Sequence, residues 1–199
     1  MPMLLSRRDL LASLLAAGLM PAASLEAAAE EPFPVNAAEV KKLAYKWQRR
    51  DVEFATREPA GTIVIDHGSR FLYHVLGGGM ATRYGVSVGK GSKAWFGETV
   101  VARMVKWPVW TPTPDHLERY PSLAKWSGGM PGGPENPMGA RALYLFQGDV
   151  DTTYRIHGGT KPRDIGRAMT AGCFGLLNID AIHLCDRVAV GARVVVTRG

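Results

Sequence analysis

From residue 61 onward the apolar residues come in short, β-rich runs separated by gaps that contain glycine or proline. GTIVID (61–66) and RFLYHVL (70–76) are dense in β-branched and aromatic residues, and only His67-Gly68-Ser69 lies between them, a pattern that predicts a hairpin. ATRYGVSVG (81–89), ETVVARMVKW (98–107), ARALYLF (140–146), TTYRIHG (152–158) and ARVVVTR (192–198) each predict a further strand, so the pattern describes about seven strands. One segment near the end, IDAIHLCDRV, spaces Ile179, Ile182 and Val188 as a helix would, with Asn178 or Asp180 as its cap and an end near Arg187. Ahead of the strands, residues 30–36 read as a tether. AAEVKKLAYKWQRR (37–50) has helix-forming composition with no glycine or proline, and the domain proper is expected from about Pro59.

Between Pro108 and Gly139 the periodicity fails. This stretch holds most of the prolines and two of the five tryptophans, Trp110 and Trp126, and Trp107 immediately precedes it. A long irregular segment inside a domain is usually functional or disordered, and the aromatics argue against plain disorder. Two readings stay open: a lid or substrate-facing wall, and a surface loop pinned by its tryptophans.

The N-terminus carries a targeting pattern. Arg7 and Arg8 precede an apolar run from Leu10 to Met20, far shorter than the roughly 20 residues that span a bilayer. Ala27-Ala28-Ala29 then offers small residues for cleavage. Residues 1–29 are therefore expected to be a secretory signal, and Ser6-Arg7-Arg8-Asp9-Leu10-Leu11 resembles the twin-arginine signal that exports folded proteins. The expected mature protein lies in the periplasm or cell envelope with no stable membrane insertion.

Composition narrows the classes further. The chain has 199 residues, 46% of them hydrophobic, with 23 glycines and 13 prolines, which suits one turn-rich soluble domain. The formal charge of +6 favours anionic partners such as cell-wall polymers. The basic residues are scattered and no recognition motif accompanies them, so nucleic acid is not an expected partner. Only two cysteines are present, Cys173 and Cys185. They could pair, but Cys185 reads better as a small apolar residue on the last helix.

The candidate chemistry lies in RIHGGTKPRDIGRAMTAGCFGLLN (155–178). A thiolate is the working nucleophile, and a free cysteine has a pKa near about 8.5, so a neighbouring base must take the proton. His157, at the end of a predicted strand, can serve Cys173 on the following loop. Backbone amides at Gly172 and Cys173 can face a developing oxyanion. The other histidines read as non-catalytic: His67 in a turn, His74 in a strand, His116 in the long loop and His183 on the last helix. No spacing suggests a zinc site, a serine elbow or a phosphate-binding loop.

In order, TIVID with RFLYHVL, RYGVSVGK, MPGGPENPMGARALYL, YRIHG, Ile165-Gly166, Gly172-Cys173, Asn178 and DRVAVGARVVV resemble the L,D-transpeptidase (YkuD-type) catalytic domain over residues 61–196. The resemblance implies a mostly β, sandwich-type domain over 59–199 with a short helix after the nucleophile loop. It implies Cys173 as nucleophile, His157 as general base, and Gly158 orienting the imidazole through its carbonyl. Thr170, Ala171 and Gly172 fall on the substrate-facing part of the motif. No metal or organic cofactor is implied, and the partners implied are peptidoglycan stem peptides. The implied reaction is formation of a thioester on Cys173, its transfer to an amine, and acylation of the same thiol by carbapenems. Two positions depart from the family's usual Ser-His-Gly-Cys-x-Arg: Ala171 replaces the second histidine and Gly175 the arginine, a residue suited to holding a substrate carboxylate. Arg155, Lys161, Arg163 and Arg167 are nearby cations. The departures keep two alternatives in view, a catalytically impaired cell-wall-binding homologue and a related enzyme: an L,D-carboxypeptidase, or one that anchors an envelope protein as acceptor.

Overall fold

A computed structural model describes residues 31–199; the expected signal over residues 1–29 lies outside the described residues. Among the described residues eleven strands are present. Nine form one sheet in the order β1 (Arg50–Glu53), β4 (Met80–Gly85), β3 (Phe71–Gly77), β2 (Ile63–Asp66), β11 (Arg193–Thr197), β6 (Gly97–Lys106), β7 (Arg141–Gln147), β8 (Val150–His157) and β10 (Phe174–Gly175). The remaining two, β5 (Val88–Gly89) and β9 (Ala168–Thr170), pair in parallel. The helices are α1 (Pro114–Arg119) and α2 (Asn178–Cys185).

The expected hairpin is β2–β3, paired antiparallel from Ile63↔His74 to Asp66↔Phe71. Beside it runs the C-terminal strand β11, parallel to β2 and antiparallel to β6, so the last strand fills the middle of the sheet. Ile63, Ile65, Val194 and Val196 are buried there, as the unbroken apolar runs require. Both halves of the sheet contribute to one core: Leu72 and Tyr84 from one side meet Leu143, Leu145, Ile156 and Phe174 from the other, with Ala181 and Leu184 of α2. The sheet curls until its ends meet. Ser87, just beyond β4, exchanges two 2.9 Å backbone hydrogen bonds with Gly175 of β10. The sandwich-type expectation thus takes the form of two halves of one sheet folded over a shared core.

Four expectations need correction. Residues 37–50 are not an α-helix: two 3-10 turns at Ala37–Lys42 and Tyr45–Trp47 lead into β1. A helix of that length is marginal without tertiary support. Here the support goes to the turns, because Leu43 is buried with Ile165 and Leu177, and Trp47 packs against Phe71 with ring centroids 4.9 Å apart. β1 then covers the free edge of β4, which an exposed edge strand needs. Nor is the region near residue 31 a plain tether, since Glu31 pairs with the buried Arg141 and accepts from Trp107 Nε1 at 2.7 Å. The single strand expected over 81–89 divides into β4 and β5. Finally, neither Asn178 nor Asp180 caps α2: the N-cap is Leu177, without a side-chain bond. No helix of the described residues is long and apolar enough to cross a membrane.

The 108–139 stretch is built rather than irregular. It contains α1 and a 3-10 turn at Pro121–Trp126, and Trp110 and Met130 exchange backbone hydrogen bonds of 3.0 and 2.7 Å. The buried Asn136 fastens it, its amide donating to the carbonyls of Pro108, Met130 and Pro131 at 2.9–3.0 Å and its Oδ1 accepting from Met138 N–H at 2.9 Å.

Candidate active site

β8 ends at His157, and β10 begins one residue after Cys173. The two strands run parallel with Phe174 opposite Ile156 and Gly175 opposite His157. Extending that register by one residue sets Cys173 opposite Arg155. Side chains facing one another across a parallel pair share a face, so Cys173 lies diagonal to His157 on the same side of the sheet. The Arg155 backbone N–H is directed at the thiol. The structure therefore brings the two expected reactive residues together.

The His157 ring is oriented by backbone. Nδ1 lies 2.7 Å from the Gly158 carbonyl oxygen, which can only accept, so Nδ1 carries the proton and Nε2 keeps the free lone pair. The Pro137 carbonyl also faces the ring. Dense packing pushes the imidazole pKa below its usual value, and the two carbonyls pull the other way. Burial pushes the Cys173 thiol up, tempered by the Arg155 amide and guanidinium. Both residues keep partial solvent access. At neutral pH the resting pair is thus a neutral thiol beside a neutral imidazole.

The loop leading to Cys173 is closed by Thr170. Its Oγ1 donates to the Cys173 carbonyl at 2.6 Å and accepts from Gly172 N–H at 3.2 Å. Gly172 has φ +131°, and a Cβ there would lie 2.5 Å from the Tyr154 ring, so only glycine passes between Tyr154 and the thiol. Because the Gly172 amide is turned to Thr170, the Cys173 amide is the one left to face a bound carbonyl; it has no partner among the described residues. Ala171 is exposed at the loop tip.

Gly175, where the resemblance expects arginine, has no room for any side chain. A Cβ there would meet Thr160 Oγ1 at 2.1 Å and Ser87 Oγ at 2.5 Å. Beside it is a hollow of about 230 Å³ bordered by Ser87, Thr160, Lys161, Arg163 and Thr170. Of the nearby cations, Arg155 is committed: its guanidinium pairs with both carboxylate oxygens of Asp151 at 2.7 and 2.8 Å and lies over the Tyr144 ring.

Sequence reasoning missed the residue that joins these parts. Asn178 Oδ1 accepts from Ala140 N–H and Gly159 N–H, each at 2.8 Å, tying the exit of the 108–139 segment and the turn after His157 to the start of α2. Its sequence signals were its place in the family resemblance, which assigned it no role, and an amide side chain at a helix start, which reads equally well as a cap. The four other histidines sit elsewhere: His67 bonds the Gly89 carbonyl, His74 is buried in β3, His116 serves the α1 capping box and His183 meets Tyr84 OH at 2.8 Å. Both cysteines are free thiols.

Comparisons with known proteins bear on the family and the fold. The family model of the L,D-transpeptidase catalytic domain, YkuD, matches residues 60–196. "Probable L,D-transpeptidase ErfK/SrfK" of Escherichia coli is 39% identical over 100 residues, 48% of this chain and 30% of that protein. The chain spans less than half the length of such curated relatives. A Brucella melitensis protein described as a probable carnitine operon oxidoreductase is 43% identical over 81% of this chain and all of that one, with a TM-score of 0.53. The described activity is that protein's own. An L,D-transpeptidase from Xylanimonas cellulosilytica shares the fold at 18% identity over 71% of this chain and 63% of that one, with a TM-score of 0.50. The chain belongs to the L,D-transpeptidase (YkuD) family.

Proposed function

We propose that this protein is a peptidoglycan L,D-transpeptidase of the cell envelope, with Cys173 as nucleophile. The observation that carries this reading is the β8–β10 register, which sets Cys173 beside a histidine whose Nδ1 is held by the Gly158 carbonyl. As Cys173 Sγ attacks the carbonyl of the L-centre third residue of a stem peptide, His157 Nε2 takes the thiol proton. The Cys173 amide stabilises the tetrahedral oxyanion. When that intermediate collapses, the peptide C–N bond breaks, the imidazolium returns its proton to the departing amine, and D-alanine leaves a thioester. An acceptor amine, that of a neighbouring stem or of an envelope protein, then attacks the thioester; its proton passes through His157 and the thiol is restored. Lys161, at the hollow beside Gly175, is the cation placed to hold a substrate carboxylate, while Arg163 there lies 3.9 Å from the Asp164 carboxylate.

The test is intact-protein mass spectrometry after incubation with a carbapenem, beside Cys173→Ala. One adduct on the wild type and none on the variant is expected. Folded protein with a reduced thiol that takes no adduct would overturn the reading. A second reading, a wall-binding homologue without activity, is favoured by the steric closure at Gly175. It predicts retention on peptidoglycan sacculi with no adduct.

A further inference from the structure

The 108–139 segment holds a cleft of about 620 Å³ that the proposed acyl transfer does not use. Its size lies within the roughly 300–1,000 Å³ typical of small-molecule sites. Three aromatic rings line it, those of Trp110, Tyr120 and Trp126, and all keep solvent access; Tyr120 is 54% exposed. Rings left in water at the wall of an open cleft suit a ligand that is itself half apolar. The polar groups between them are one lysine, one glutamate, a serine and a histidine, Lys125, Glu135, Ser122 and His116. Burial lowers the His116 pKa, so the lining carries no net charge at neutral pH. A cleft built for carboxylates would hold an excess of cations. This one offers donors and acceptors around flat apolar faces, the complement of a pyranose, whose C–H face stacks on a ring while its hydroxyl and acetamido groups bond at the edge.

The cleft is preorganised. Asn136 and the Trp110–Met130 pairing together fix the junction at its base, and His116 holds the Trp110 ring edge-on at a centroid distance of 5.5 Å. It also adjoins the candidate active site: Pro137 lines the cleft, and the carbonyl of that same residue faces His157. In a stem peptide the reacting carbonyl is three residues from the glycan, at most about 10 Å of extended chain. A stem engaged at Cys173 would bring its sugar to this wall.

We propose that the Trp110–Tyr120–Trp126 cleft is a saccharide subsite that binds the amino sugars of the glycan strand whose stem is acylated. The inference rests on the transpeptidase reading for its link to catalysis, but binding itself is testable without turnover. Two measurements on the full chain decide it. In the first, D-alanine release is followed with a free tetrapeptide and with the same tetrapeptide on its disaccharide. The disaccharide donor is expected to be better by about tenfold in kcat/KM, mostly through KM. Trp126→Ala should bring the ratio near one, and the surface variant Tyr120→Ala should lower it as well if Trp126→Ala does not fold. In the second, a stem-free amino-sugar tetrasaccharide is titrated against tryptophan fluorescence. Saturable quenching is expected, lost in Trp126→Ala. Equal use of both donors, with no quenching, would overturn the subsite and leave the transpeptidase reading intact. No release from either donor and no carbapenem adduct would sink the transpeptidase reading, and the titration alone would then decide the cleft.

Discussion

Asn178→Ala tests whether one side chain assembles the site. The substitution strips two backbone amides of their acceptor, Ala140 N–H and Gly159 N–H, each bonded at 2.8 Å. An amide left without a partner costs about 1–3 kcal/mol when buried and little when water reaches it. Ala140 is fully buried and Gly159 is at the surface, so the sum is about 1–3 kcal/mol. For a domain of this size that lowers Tm by about 2–12 °C. Asn178→Asp separates this cause from generic damage. A carboxylate offers the same acceptor, and at the first turn of α2 its charge is favourable, so it should stay within about 1 kcal/mol of wild type. Thermal unfolding by circular dichroism measures both. The rate of Cys173 acylation by a carbapenem should fall in parallel for Asn178→Ala, because the turn after His157 and the Pro137 carbonyl lose their common anchor. If Asn178→Ala melts within about 2 °C of wild type, or Asn178→Asp melts as low as Asn178→Ala, the anchoring argument is wrong.

Gly175→Ala should cost about 1–3 kcal/mol through its contacts with Thr160 Oγ1 and Ser87 Oγ, and most of that should return in a Thr160→Ala, Ser87→Ala background; denaturant titration showing plain additivity would refute the steric account. Alkylation of Cys173 by iodoacetamide should have a pH midpoint above that of an ordinary cysteine, and Cys185, pushed up to about 12 by burial, should stay silent; a midpoint below the ordinary value would show a preformed thiolate. Burial raises Asp180 to about 6 although Arg49 lies 2.6 Å away, so its contribution is present below about pH 4 and lost as pH rises through 6. Asp180→Asn should therefore gain stability relative to wild type across that window, by at most about 3 kcal/mol, and a difference independent of pH would contradict the shift.

Strands with one dominant pattern were legible from sequence, because period-two alternation and unbroken β-branched runs report which faces are covered. β2, β3, β6, β7, β8 and β11 all lie close to where the apolar runs put them. Elements of two or three residues, β5, β9 and β10, left no such trace, since their pairing is decided by partners far along the chain. Residues 37–50 misled because helix propensity is a weak prior: Leu43 and Trp47 are four apart, as a helix would space them, yet both pack on the Ile165–Leu177 cluster from 3-10 turns, and Trp47 also meets Phe71. The pairing of His157 and Cys173 followed from their family motifs, but the groups that set their chemistry did not. Pro137 and the Arg155 amide act through backbone groups, and the Asn178 side chain acts on backbone amides far along the chain, none of which composition records.

The resting protonation state ties the burial of the site to the kind of electrophile it can attack. Burial raises the thiol and lowers the imidazole, so proton transfer from one to the other is uphill before substrate arrives. A preformed thiolate would react with any accessible oxidant or disulfide, whereas this thiol is held neutral and at the end of a glycine-lined loop. In the proposed reaction the proton would move as the C–S bond forms, with the Cys173 amide taking up the charge that develops on the carbonyl oxygen. That requirement favours a carbonyl positioned by the rest of the substrate, or one strained as in a β-lactam. On the proposed mechanism, the groups that position the pair, from Asn178 to the wall ending at Pro137, would bear on the rate along with the thiol.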